Sequence, residues 1–134
     1  MTVRVKRVYD TAADTDGVRV LVDRLWPRGV SKEAARVDLW LKDIGPSHAL
    51  RRWFGHDAAK WNEFRRRYSA ELRLAPDVVT ELTTLARRRR VTLLFSSREL
   101  VYNNARALQE NLAAARRPGA SPLKRRSQEG RGRE

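Results

Sequence analysis

The chain has 134 residues, with 29 Lys and Arg against 16 Asp and Glu, a formal charge of +13 and no cysteine. That length allows one ordinary domain with a core of its own, and the missing cysteines exclude disulfide frameworks, Cys-based zinc sites and thiol nucleophiles. No apolar run approaches the roughly 20 residues of a membrane span, and residues 1–9 alternate Val with Arg and Lys, unlike a signal peptide, so a cytoplasmic protein without a membrane partner is expected.

Val3, Val5 and Val8 alternate with basic residues, the period of a half-buried strand. Turn residues fill Asp10–Gly17, and Val18–Val22 is apolar except for Arg19, as a central strand is. A parallel crossover usually needs a dozen residues or more, so the short link predicts an antiparallel hairpin. Pro27 and Gly29 stop regular pairing, and Ser31 is placed to cap a short helix over Lys32–Arg36. Asp38–Asp43 reads as a short strand. Pro46 and Ser47 open a helix with Leu50, Trp53 and Phe54 inward, stopped by Gly55. Asp57 precedes a helix striped by Trp61, Phe64, Tyr68 and Leu72, and Pro76 opens another that ends in Arg87–Arg90. Val91–Phe95 is the clearest buried strand. A last helix carries Val101, Ala105, Leu108 and Leu112 on one stripe. The expected whole is one compact three-layer α/β domain over residues 1–115, with a small mixed β-sheet and helices on both faces. Residues 116–134, seven basic and two acidic among Pro, Gly and Ser, read as a basic disordered tail.

Both of the most apolar strands end in polar, charged clusters: Asp23-Arg24 with Arg28-Gly29, and Ser96-Ser97-Arg98-Glu99. Ligands of open α/β sheets bind beyond the carboxyl ends of the strands. If the two strands are parallel neighbours, Arg24, Arg28 and Arg98 form an anion clamp, and Ser96 and Ser97 donate with the N–H groups opening the last helix. Trp26, in the same loop, is a candidate to touch the ligand, with packing as the alternative, while Asn103 and Asn104 are candidates to read polar groups. Asp23 and Glu99 are the candidate acid-base residues, given a pKa raised by burial. The bland alternatives are that Asp23 ties its loop down and Ser97 caps the last helix. His48 and His56 lack metal-ligand spacing, and no Gly-rich phosphate loop is present. His56 beside Asp57 reads either as a proton shuttle or as a locally bonded residue at a capped helix start.

These readings favour a pocket for an anionic small molecule or nucleotide at the strand ends, of unspecified reaction and cofactor. The alternative is a nucleic-acid-binding accessory protein using the basic helix faces, Arg65–Arg67 and Arg87–Arg90, together with the tail.

The strings Val22-Asp23-Arg24-Leu25-Trp26-Pro27-Arg28-Gly29, Trp40-Leu41-Lys42-Asp43-Ile44 and Trp53-Phe54-Gly55-His56-Asp57 resemble the YeaO-like branch of the bacterial family designated domain of unknown function 488. The likeness runs from residue 3 to about residue 114. It implies a compact α/β domain with Asp23, Arg24, Pro27 and Arg28 in a shared pocket, and supplies no activity. Where the family carries Ala-Ala-Arg-Asp and a His-Asn string, this chain reads Ser96-Ser97-Arg98-Glu99 and Tyr102-Asn103-Asn104. Chemistry that needs that histidine is therefore put in doubt. Longer relatives resemble this layout with a Cys-His-Arg string, whose thiol chemistry is closed to a chain without cysteine.

Overall fold

The structure, a computed structural model, describes residues 2–116. The tail expected from residue 116 onward lies, from residue 117, outside the described residues. Four strands, β1 (Val3–Arg7), β2 (Val18–Leu21), β3 (Leu39–Trp40) and β4 (Val91–Phe95), form one sheet in the order β1-β4-β2-β3. Every pairing is parallel. The compact α/β domain is as expected, but the sheet is not mixed and the β1–β2 hairpin does not exist. Instead β4 lies between these strands, its five residues buried on both faces, and uses both edges for pairing.

Chain length explains how β1 and β2 run parallel without a crossover helix. Strands of five and four residues are only about 15 Å long at about 3.3 Å per residue. The ten residues from Val8 to Gly17 reach about 33 Å when extended, enough to return along the second sheet face and step over β4. They do so by way of a 3-10 turn at Asp14–Asp16. Gly17 then passes so close to the residue just before β4 that a Cβ there would stand 2.2 Å from the Arg90 carbonyl oxygen, at a φ of +68°.

Helices α2 (His48–Phe54), α3 (Trp61–Arg73), α4 (Pro76–Arg88) and α5 (Asn104–Arg116) supply the main core. Leu50, Phe54, Phe64, Tyr68, Leu72, Leu82, Leu108 and Leu112 pack with Val20, Val22, Val91, Leu93 and Phe95 of the sheet. Burial of each large side chain is worth about 1.5–3 kcal/mol relative to exposure. The second face is thinner. Among the described residues it carries only the four-residue α1 (Lys32–Ala35), capped by the Ser31 hydroxyl, above Val8, Leu21 and Leu94. Helices thus flank the sheet on both sides, very unequally.

Caps explain the helix boundaries. Ser47 accepts from the Leu50 N–H at the start of α2, and Asp57 caps a 3-10 turn (Ala58–Lys60) that leads into α3. The last helix starts later than its apolar stripe predicts: the Asn103 side chain accepts from the Arg106 N–H, and Val101 lies outside the helix, half exposed. Asn103, not Ser97, therefore caps it.

Tyr68 joins α3 to the loop after β3. It is fully buried and donates to the Ile44 carbonyl at 2.6 Å. Burial, reinforced by the nearby charges of Asp23 and Glu71, pushes its phenol far up, so it stays a donor. Tyr68→Phe is expected to cost about 1–2 kcal/mol by orphaning that carbonyl, read in urea as a lower midpoint at constant slope. An unchanged midpoint would show that the bond contributes nothing.

Candidate functional site

Because all four strands are parallel, their carboxyl ends share one edge of the sheet. The β2–β4 register pairs Leu21 with Leu94, and the Val22 N–H donates to the Leu94 carbonyl. The next residues therefore emerge side by side. Asp23 Oδ2 accepts from the Ser96 N–H at 3.0 Å and from the Ser96 hydroxyl at 2.7 Å. Asp23 Oδ1 accepts from Asn104 Nδ2 at 3.0 Å, and the same amide donates to the Val22 carbonyl at 3.2 Å. One carboxylate thus joins the end of β2, the loop after β4 and the first turn of α5.

Its neighbours are arranged around this tie. Arg24 Nε donates to the Pro46 carbonyl at 3.0 Å, with a guanidinium nitrogen 3.9 Å from Asp43. Gly45 lets the two segments come this close, since a Cβ there would lie 2.9 Å from the Arg24 backbone nitrogen. Trp26 donates to the Val30 carbonyl at 2.7 Å and meets Trp40 edge to face, with centroids 5.3 Å apart. Trp40 in turn donates to the Asp23 carbonyl at 2.7 Å. Asn103 is fully buried, bonded to the Glu99 carbonyl and to the Arg106 N–H.

Glu99 accepts from the N–H groups of Val101 and Tyr102 at 2.9 and 3.1 Å. Those two bonds hold its carboxyl below the usual range, the direction opposite to a raised pKa, so Glu99 holds a turn as an anion. Ser97 donates weakly to the Glu99 carbonyl at 3.4 Å. Arg28 and Arg98 are exposed, and neither guanidinium makes a hydrogen bond or ion pair among the described residues. His56 is exposed, with Nδ1 3.4 Å from the Tyr102 carbonyl; His48 is exposed at the start of α2.

Two residues of this edge escape the sequence reading. Arg7, at the end of β1, donates to the Ser97 and Ser96 carbonyls at 2.8 and 3.2 Å and stacks over Tyr9, whose hydroxyl donates to the Arg28 carbonyl at 3.0 Å. Trp40 is the other. Both lie at strand ends, which is the signal that could have found them once the strands were known to be parallel. Among the described residues no group of three His, Asp or Glu side chains is placed to hold a metal, and no helix is long and apolar enough to cross a membrane.

Fold and site define an all-parallel α/β domain whose strand-end loops are fastened together by a carboxylate and bordered by exposed arginines. The chain belongs to the inactive DUF488-N3 subclade, which matches residues 2–127. It is 40% identical over 110 residues to Uncharacterized protein YeaO of Escherichia coli K12, covering 82% of this chain and 96% of that one. Uncharacterized protein Rv3073c of Mycobacterium tuberculosis H37Rv is 41% identical over 110 residues, covering 82% and 92%. The YeaO-like resemblance of the sequence is therefore a family membership. No solved structure matches the chain.

Proposed function

We propose that the carboxyl edge of the sheet binds an anionic group, phosphate or carboxylate, on Arg28 and Arg98, with Arg24 adding charge beside them. The observation that carries this reading is the Asp23–Ser96 tie: it fastens together the two loops that bear uncompensated, exposed arginines. Asp23, Ser96, Asn103 and Asn104 then form the frame beneath the ligand rather than its contacts, since their polar atoms are engaged with one another and with backbone. Binding without turnover suits this edge. The two candidate acid-base carboxylates, Asp23 and Glu99, are occupied as acceptors, and the subclade to which the chain belongs is an inactive one.

The nucleic-acid alternative draws less support. Arg65 pairs with Glu110, and Arg66 and Arg67 both pair with Glu63, which removes much of the positive excess of α3. Arg87, Arg88 and Arg89 remain exposed.

A ligand held at 100 times its dissociation constant stabilises the folded state by about 2.7 kcal/mol. Inorganic phosphate, citrate and a nucleoside monophosphate, each titrated at constant ionic strength, should raise the melting temperature of the native chain. The double variant Arg28→Ala/Arg98→Ala should lose that rise, whereas Arg65→Ala/Arg66→Ala should keep it. Equal stabilisation of native and Arg28→Ala/Arg98→Ala proteins would overturn the proposal.

A further inference from the structure

Six large hydrophobic residues are exposed among the described residues, and five of them, Tyr9, Leu25, Trp40, Leu100 and Val101, lie at or just beyond the carboxyl ends of the strands. Leu74, between α3 and α4, is the sixth. Leu25, Leu100 and Val101 are 54%, 63% and 50% exposed, and they do not sit on slack chain. Glu99 fixes the Val101 and Tyr102 N–H groups, Trp40 holds the Asp23 carbonyl beside Leu25, and Tyr9 holds the Arg28 carbonyl. Hydrogen bonding thus keeps apolar side chains facing water on the same strand-end loops that carry Arg28 and Arg98, which make no side-chain bond among the described residues. Clustered exposed apolar surface marks interaction sites, and aromatic residues with Arg at low Lys and Glu density are the composition of interface centres.

We infer that this edge docks an acidic segment of a partner protein, whose carboxylates meet Arg28 and Arg98 while its apolar side chains cover Leu25, Leu100 and Val101. The inference rests on the anion-binding reading above and names the bearer of the anion. Charge complementarity selects the occupant: at +13, a second copy of this chain is repelled and an acidic partner is attracted. The aliphatic side chains select polypeptide over nucleic acid. Bases stack on aromatic faces, and a phosphate backbone on the arginines would leave Leu25, Leu100 and Val101 wet. Beside the edge, an open cleft of about 440 Å³ is walled by Tyr9, Gly29, Val30 and Ala34. The cleft is open and partly polar, with Asp10, Thr11 and Arg36 also in its lining, and offers a shallow recess for one side chain.

The test uses the full chain and three labelled polymers of equal length: polyglutamate, a random copolymer with one leucine to four glutamates, and a single-stranded oligodeoxynucleotide. Fluorescence anisotropy at physiological salt should show the copolymer binding at least tenfold more tightly than polyglutamate. The triple variant Leu25→Ser/Leu100→Ser/Val101→Ser should lose that margin yet keep the native response to inorganic phosphate; its side chains are at least half exposed, and circular dichroism checks its fold. Arg28→Ala/Arg98→Ala should weaken both polypeptides and the phosphate response. Equal affinity for the two polypeptides, or a triple variant with unchanged preference, overturns the docking inference and leaves anion binding standing. A phosphate response indifferent to both arginines overturns anion binding itself. Tighter binding of the oligonucleotide, unaltered in the triple variant, assigns the edge to nucleic acid instead. A native dimer that the triple variant converts to monomer in sedimentation assigns it to a second copy.

Discussion

Asp16→Asn is expected to destabilise the domain by about 3–5 kcal/mol, the usual consequence of removing one partner from a buried ion pair. Asp16, in the β1–β2 link, is fully buried. It accepts from Arg19 Nη1 at 2.6 Å, from Lys6 Nζ at 3.2 Å and from the Ala13 N–H at 3.0 Å, while its own carbonyl accepts from the Thr92 hydroxyl at 2.7 Å. Arg19, 3% exposed, uses its remaining donors on the carbonyls of Ala35 and Arg36 that end α1. The substitution leaves Arg19 and Lys6 facing each other over a neutral amide, and it loosens α1, the only helix on that face among the described residues. Against a total stability of about 5–15 kcal/mol, the loss is a large fraction, measured by urea denaturation at pH 7.

The same carboxylate has a definite pH signature. Burial pushes its pKa up, but the Ala13 N–H and the Lys6 and Arg19 hydrogen bonds outweigh this, and the net direction is below the ordinary value of 3.8. A group with a depressed pKa in the folded state contributes stability that is complete above its unfolded pKa and fades as pH falls through the folded one. The gap between native protein and Asp16→Asn should therefore be constant from pH 7 to about pH 5 and narrow below about pH 3.8. A gap under about 0.5 kcal/mol at pH 7, the size of an ordinary surface substitution, would sink the idea that Asp16 organises the second face.

The elements that sequence predicts best are those whose evidence is local. The apolar run Val91–Phe95 and the stripe Trp61, Phe64, Tyr68 and Leu72 each report burial within one element, and each forms as expected. Strand order is not local. Turn residues after Tyr9 suggest a hairpin, yet β1 pairs through Val3↔Val91 to Arg7↔Phe95 with a strand nearly 90 residues away. A clue lies in β4 itself, because a continuously apolar strand is the signature of a parallel sheet covered on both faces. The hairpin reading had a direct cost for the site. It reversed β1, so Arg7 fell at the opposite edge from Ser96 and Ser97, whose carbonyls it binds.

Two further residues were obscured by periodicity. Arg19 reads as one polar interruption of an apolar strand, although Asp16 three positions earlier is the partner that lets a buried guanidinium exist. Val101 fits the stripe of α5 at i, i+4, while the capping residue Asn103 places the real start of the helix later. In both cases a charge or cap outweighed hydrophobic spacing. The convergence of the two strand-end clusters was conditional on β2 and β4 being parallel neighbours, and that adjacency is what the sheet has.

Asp23→Ala is expected to cost about 2–4 kcal/mol, because it leaves the Ser96 N–H and the buried Asn104 amide short of an acceptor, each at about 1–3 kcal/mol. Ser96→Ala should cost less, about 1 kcal/mol, since it deletes only the hydroxyl bond and keeps the N–H donor in place. Asp23→Asn should fall between them: its oxygen can still serve Ser96, but its amide then opposes that of Asn104. Urea denaturation ranks the three, and hydrogen exchange at the Ser96 amide should accelerate most in Asp23→Ala. A Ser96→Ala variant less stable than Asp23→Ala would remove Asp23 from its place as the tie. Ligand affinity separates the tie from simple electrostatics. On the proposed reading, deleting a negative charge from the edge that carries Arg24, Arg28 and Arg98 would by Coulomb's law alone strengthen anion binding, whereas untying the two loops is expected to weaken it by freeing the segments that bear Arg28 and Arg98. Weaker phosphate stabilisation in Asp23→Ala than in the native chain means that fixing the geometry outweighs the lost repulsion, and stronger stabilisation means that Asp23 opposes the ligand it was inferred to support.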